Sequence, residues 1–188
     1  DCYGPRLAFL GQLRVGHPDG SRTVVATDPA WTWTTGPIRG ADLMAGQRVD
    51  LRIPLEGWAP VTVADHGVAN LCASPAPPMR RIEELRPVAV TEPGPGRQVV
   101  DLGQNINGWV RLRDLGPDGV EVTLTHGEAL DDQGDVTIDH LLSADHETGE
   151  RLGEIQVDRV VAGSEADAVF EPRHTSHGFR YVRIEGLD

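Results

Sequence analysis

Four carboxylates crowd one short stretch of the chain: Glu128, Asp131, Asp132 and Asp135, gathered around Gly134. Paired carboxylates can act as general acid and base, and oxygen donors beside a tight turn suit a hard cation such as calcium. The plainest reading is local, because aspartates at turns accept hydrogen bonds from nearby backbone; a calcium site ranks second and catalysis last. Trp31, Trp33, Trp58 and Trp109 could stack on sugar faces. Aromatic residues at strand spacing more often fill a core, so Trp31, Trp33 and Trp109 are assigned there. Trp58, in the turn-like Glu56-Gly57-Trp58-Ala59-Pro60, stays a candidate for sugar contact. His174 and His177 suggest zinc, but residues three apart on a strand point to opposite faces, and no third-ligand pattern accompanies them. His177 is therefore read as structural, bonding a backbone carbonyl beside Gly178. Gly103, Gln104, Asn105 and Asn107 read as a bulge or loop whose amides satisfy buried backbone groups.

The elements that must hold these residues are strands. Short apolar or alternating runs, punctuated by turn chemistry, mark an all-β chain. Leu7–Val15 and Ser21–Thr27 flank the turn His17-Pro18-Asp19-Gly20 and predict a hairpin. Further strands are predicted at Trp31–Thr34, Arg48–Ile53, Leu85–Thr91, Gln98–Leu102, Gly108–Leu115, Val120–His126, Ile155–Val161 and Phe179–Ile184. Ser74-Pro75-Ala76-Pro77-Pro78 cannot join a central strand, since proline donates no N–H, and it marks a boundary between modules. The stretch Leu141–Gly153 has no period and predicts a loop or a short helical turn. No helix of three turns is expected, and two adjacent antiparallel sandwiches are the natural architecture.

Composition narrows the partners. The 188 residues carry a formal net charge of −12, with arginine supplying all 17 basic side chains. A phosphate backbone needs a basic face, so nucleic acid is excluded as a partner, and so is an anionic membrane surface. A neutral sugar and a divalent cation both fit that charge. No apolar run approaches the length of a membrane-spanning helix. Cys2 and Cys72 are far apart and form no metal-binding pair; buried free thiols are expected rather than a disulfide. The first residues run almost directly into a strand, so a piece of a longer polypeptide is expected.

Three segments carry a family resemblance. They are Asp101-Leu102-Gly103-Gln104-Asn105-Ile106-Asn107-Gly108-Trp109-Val110, His126-Gly127-Glu128-Ala129-Leu130-Asp131, and Phe170–Val182 with its Glu171-Pro172, His177-Gly178-Phe179-Arg180-Tyr181-Val182 pattern. In order and spacing they resemble the bacterial α-L-rhamnosidase family (glycoside hydrolase family 78). Weaker matches lie earlier, at Tyr3-Gly4-Pro5-Arg6-Leu7-Ala8, Thr27-Asp28-Pro29-Ala30-Trp31, Thr35-Gly36-Pro37-Ile38 and Asp42–Arg52. In the last of these, Gln47 stands where the family has Glu, Val49 where it has Tyr and Leu51 where it has Ala.

The resemblance implies two jelly-roll-like β-sandwich modules. Residues 1–74 are expected to form a partial N-terminal sandwich, 75–84 a Pro-rich linker, and 85–188 the sandwich that precedes an (α/α)6 catalytic barrel on the same polypeptide. The family's members hydrolyse terminal α-L-rhamnosyl groups of glycosides with inversion, which needs an acid and a base about 6.5–9.5 Å apart. Both catalytic carboxylates belong to the barrel, so the resemblance carries no catalytic residue to this chain and implies a scaffolding role with a rhamnose-containing glycoside as the parent's substrate. In some members the first sandwich binds rhamnose through calcium. That implies Asp42 as a calcium ligand, with Asp42, Asp50 and Trp58 as sugar-binding residues; the alternative function is an autonomous calcium-dependent carbohydrate-binding module. A sandwich lacking strands would expose unpaired edges and an apolar face, from which a homodimer through exposed sheet edges, or a repacked first module, is expected.

Overall fold

A computed structural model describes residues 8–65, 67, 71–141, 154–165 and 167–187. Cys2, most of the Tyr3–Ala8 match and nearly all of the predicted loop Leu141–Gly153 lie outside the described residues. The described strands, in chain order, are β1 (Gln12–Gly16), β2 (Arg22–Ala26), β3 (Thr32–Trp33), β4 (Ile38–Asp42), β5 (Gly46–Asp50), β6 (Ala59–Pro60), β7 (Ala89–Gly94) and β8 (Arg97–Gly108). They continue with β9 (Leu112–Arg113), β10 (Glu121–Gly127), β11 (Ala129–Leu130), β12 (Val136–Thr137), β13 (Val157–Val161), β14 (Val169–Phe170) and β15 (His177–Glu185). A single 3-10 turn at Asp139–Leu141 is the helical element among the described residues. The chain is all-β, with mostly antiparallel sheets.

Two compact units interleave along the sequence, Asp1–Thr35 with Leu55–Arg80, and Gly36–Pro54 with Arg81–Asp188. The segment Gly36–Pro54, which the sequence places in the first sandwich, thus packs with the second unit. Its strand β4 has no clear alternation and escapes sequence reading. The reason it forms is tertiary: β5 pairs parallel with β13 through Arg48, Val49 and Asp50, and β4 folds back along β5.

In the first unit, β1 and β2 form the predicted hairpin with Gln12 opposite Ala26, closed by Gly20 at a φ of 83°. Its apolar side chains remain exposed, among them Leu13, Val24 and Val25. Trp31 and Trp33 are exposed as well, at 39% and 54%, which overturns their assignment to a core. Cys72 is a free thiol and exposed rather than buried.

The second unit is built on a seven-stranded sheet of order β4-β5-β13-β10-β15-β8-β7. Val122, Leu124, Val160, Phe179 and Val182 form the centre of its core, each at most 2% exposed. Strand β15 shows how the sequence reaches that core. Its buried positions run His177, Phe179, then Val182, Ile184, so the alternation slips by one residue. A register shift between Phe179 and Tyr181 accounts for the slip. Without a bulge, period-two alternation would turn the second half of the strand outward.

Candidate functional site

The bulge is where the sequence motifs converge. Phe179 pairs with Ile106 and Tyr181 with Asp101, so residues 102–105 of β8 stand against Arg180 alone. Gly103, at a φ of 78°, lets the backbone turn there, a conformation in which glycine carries no steric penalty. Asp101 ties the two strands together. Its Oδ1 accepts the Gly103 N–H at 2.7 Å and the Arg180 Nε–H at 2.8 Å, and its Oδ2 accepts Arg180 Nη2 at 2.8 Å. The forked guanidinium and the Gly103 amide hold the Asp101 carboxyl below its ordinary value, since donors that favour the charged form lower a carboxyl pKa.

Around this clasp the polar motif residues face outward. Gln104, Asn105 and Asn107 are exposed. Asn105 Nδ2 donates to Glu128 Oε1 at 2.6 Å, and the Ser176 hydroxyl donates to Asn107 Oδ1. The expected bulge is present, but its amides bind side chains rather than buried backbone. Three motifs distant in sequence, at 101–110, 126–131 and 173–182, thereby present one polar surface. Trp109 sits half-buried beside it and donates Nε1–H to Glu171 at 2.9 Å. Glu171 also pairs with Arg81 and Arg111, and the indole N–H first, then the arginines, lower its pKa.

The acidic turn has local partners. Asp131 Oδ1 accepts the Gln133 and Asp135 N–H groups at 2.8 and 2.9 Å, which lowers its pKa. Asp135, 8% exposed, pairs with Arg97 and Arg183 at 3.1 and 3.5 Å.

Asp42 and Asp50 occupy opposite ends of the β4–β5 hairpin, since Asp42 pairs with Gly46 while Asp50 ends β5. Four strand residues span about 13 Å, so the two carboxylates do not converge. Asp42 Oδ1 accepts the Met44 and Ala45 N–H groups, both at 2.8 Å, and these bonds lower its pKa. Asp50 is gripped by Arg52 at 2.8 and 2.7 Å, which holds its pKa at about 2. Trp58 belongs to the other unit and is 56% exposed.

Sequence reasoning missed a buried polar cluster under the sheet. His126, Asp158 and His177 are each at most 1% exposed. The two imidazoles stack with centroids 4.4 Å apart, and Phe179 meets His126 edge-on at 4.7 Å. His177 Nε2 lies 3.3 Å from Asp158 Oδ1, and His126 Nε2 lies 3.8 Å from Asp158 Oδ2. Asp158 Oδ1 also accepts the Gln47 N–H at 2.8 Å. The partner of His177 is therefore not His174, which is exposed; it is His126, that bonds a backbone carbonyl, with Nδ1 at 3.0 Å from Gln156 O. Burial first, and then the neighbouring His177, push the His126 pKa down to about 4. Gln47, a departure from the family pattern, is itself buried, and its Oε1 accepts the Arg173 and His174 N–H groups at 3.1 Å. The available signal was an aspartate inside Val157-Asp158-Arg159-Val160, on the buried parity of an apolar strand.

Fold and surface together define an all-β protein of the sandwich class, with its recognisable motifs gathered on an exposed bulge. Residues 91–188 match the bacterial alpha-L-rhamnosidase concanavalin-like domain, and residues 1–92 match the alpha-L-rhamnosidase N-terminal domain. The chain belongs to the bacterial alpha-L-rhamnosidase family. It is 37% identical over 196 residues to an alpha-L-rhamnosidase of Streptomyces avermitilis, an alignment covering 98% of this chain and 18% of that protein. It superimposes on the crystal structure of the Streptomyces avermitilis alpha-L-rhamnosidase complexed with L-rhamnose with a TM-score of 0.78 and 34% identity, over 95% of this chain and 18% of that one. The native enzyme of Aspergillus terreus gives a TM-score of 0.77 at 29% identity, covering 95% and 20%. The chain thus spans about a fifth of the length of these relatives.

Proposed function

We propose that this chain is the accessory β-sandwich portion of an α-L-rhamnosidase, in which it supports a catalytic domain carried elsewhere on the polypeptide. The parent enzyme hydrolyses terminal α-L-rhamnosyl groups of glycosides with inversion, and the acid and base that do so lie outside these residues. The observation that carries this reading is the bulge surface. Asp101 and Arg180 spend a bidentate ion pair on fixing a bulge whose Gln104, Asn105 and Asn107 then face outward, a geometry suited to docking a neighbouring domain through polar contacts. In the complete enzyme, Asn105→Ala combined with Asn107→Ala should lower the temperature at which activity is lost while this module's own fold is retained. Release of rhamnose by residues 1–188 alone, abolished by changing one of their own carboxylates, would refute the proposal.

A second reading, direct sugar binding, is favoured by a separate observation in the first unit. A groove of about 1090 Å³ is lined by Trp31, Trp33, Asp28 and Asp65 among others, combining aromatic faces with carboxylates. Calorimetry with L-rhamnose, with and without calcium, tests it; for Asp42, Asp50 and Trp58 the same titration is run on Asp42→Asn, Asp50→Asn and Trp58→Ala. Unchanged heats in all three would remove them as ligands.

A further inference from the structure

We propose that His126, His177 and Asp158 form a structural site for one first-row divalent metal ion, of the zinc type, inside the sandwich of the second unit. Among the described residues, three buried polar atoms have no hydrogen-bond partner: His126 Nε2, Asp158 Oδ2 and His177 Nδ1. Buried polar groups are nearly always satisfied, so a cluster of such atoms needs an occupant or a function. The donor atoms of the three side chains lie within 4.8 Å of one another.

The tautomer of His126 narrows the choice. Its Nδ1–H is committed to the Gln156 carbonyl, which leaves Nε2 as the free nitrogen of the ring. Nε2 is then a bare lone pair aimed at a carboxylate oxygen 3.8 Å away. Two electron-rich atoms facing each other in a buried site call for a cation or a donor between them. A shared proton would draw nitrogen and oxygen to about 2.7–3.2 Å, well inside the observed spacing. A metal ion fits it: with bonds of about 2.0–2.1 Å, His177 Nε2 to Asp158 Oδ1 at 3.3 Å and His126 Nε2 to Asp158 Oδ2 at 3.8 Å subtend roughly 105° and 135° at the ion, so two imidazoles and both carboxylate oxygens make up a distorted four-coordinate centre.

The surroundings have the form of a metal-site support. A ligating histidine characteristically donates its other N–H to a backbone carbonyl, as His126 does. Gln156 clamps both histidine strands, with Nε2 donating to His126 O at 3.2 Å and Oε1 accepting the Gly178 N–H at 2.9 Å. It does so at a φ of 56°, a conformation costly for a side chain larger than glycine and kept where the surroundings enforce it. Thr175 Oγ1, buried and 3.5 Å from His177 Nε2, lines the site. Imidazole with carboxylate suits zinc and its neighbours better than calcium or magnesium. His177 would ligate through Nε2, the nitrogen beside Asp158, while its Nδ1 has no partner among the described residues in either tautomer. The ligands come from β10, β13 and β15, so the ion would staple three adjacent strands and must be captured as the chain folds.

The complete polypeptide is unfolded in chelator and refolded with Zn²⁺ or Co²⁺. The expected result is one tightly held ion assigned to this site, d–d absorption from low-coordinate Co²⁺, and an X-ray absorption spectrum containing two imidazoles. Both Asp158→Asn and His126→Gln should lose that ion. If those variants fail to fold, the cobalt spectrum and X-ray absorption of the wild type decide by themselves. A wild type that refolds in chelator to an unchanged melting temperature, or an ion retained by the two folded variants, overturns the proposal.

Discussion

The contact between β5 and β13 can be tested with one methyl group. A β-carbon at Gly46 would lie 2.1 Å from Val157 O and 2.9 Å from Asp158 Oδ1, and both are atoms that cannot yield without moving β13 or the buried carboxylate. Gly46 also holds a φ of 122°. Placing a side chain at positive φ costs about 1–2 kcal/mol. Relieving the clash requires β5 to retreat by about 1 Å, which gives up the Gln47 N–H bond to Asp158, worth about 1.5–3 kcal/mol for a charged acceptor. The Val157 N–H to Ala45 O bond, at 2.9 Å, goes with it, for about 1 kcal/mol more. Gly46→Ala should therefore destabilise the second unit by about 4–6 kcal/mol, a large share of the 5–15 kcal/mol typical of a domain. Gly134 is the control: its φ is 81° and no atom lies within 4 Å of its would-be β-carbon, so Gly134→Ala should cost only the backbone term of about 1–2 kcal/mol. Urea denaturation followed by far-ultraviolet circular dichroism measures both. Equal losses in the two variants would refute the close-approach reasoning and leave backbone conformation as the sole cause.

Three further outcomes are expected. Leu124→Ala, at a position with no exposure, should lose about 3–5 kcal/mol by leaving a cavity, read from the same denaturation curves. Arg180→Lys removes the fork that holds Asp101, because lysine is a point charge and cannot bind both oxygens in plane; hydrogen exchange at the Gly103 amide should quicken while the core amides stay protected. Glu171 has a folded pKa below its ordinary 4.5, so its contribution is present above that pH and is lost as pH falls through the folded value. Trp109→Phe, which removes the leading donor, should shrink this acid-side loss in thermal melts between pH 5 and 3, and an unchanged slope would contradict the assignment.

The sequence by itself determined the all-β class, the β1–β2 hairpin, the strands β10, β13 and β15, and the family, because turn chemistry and period-two alternation are local and the motifs are contiguous. It also placed a bulge near Gly103. What it could not reach were pairings set by residues far apart. Gly36–Pro54 joins the second unit through a parallel contact between β5 and β13, more than a hundred residues away, and no local pattern encodes such a partner. Gln104, Asn105 and Asn107 were legible as bulge residues, but their exposure follows from the register of β15 against β8. Trp31 and Trp33 alternate as core residues do, yet strand periodicity states only that they share a face, and what covers that face is a tertiary matter. The histidine cluster shows the same limit most sharply. His126, Asp158 and His177 are unremarkable singly, and only the side-by-side packing of β10, β13 and β15 brings their ring nitrogens and carboxylate together in a buried cluster.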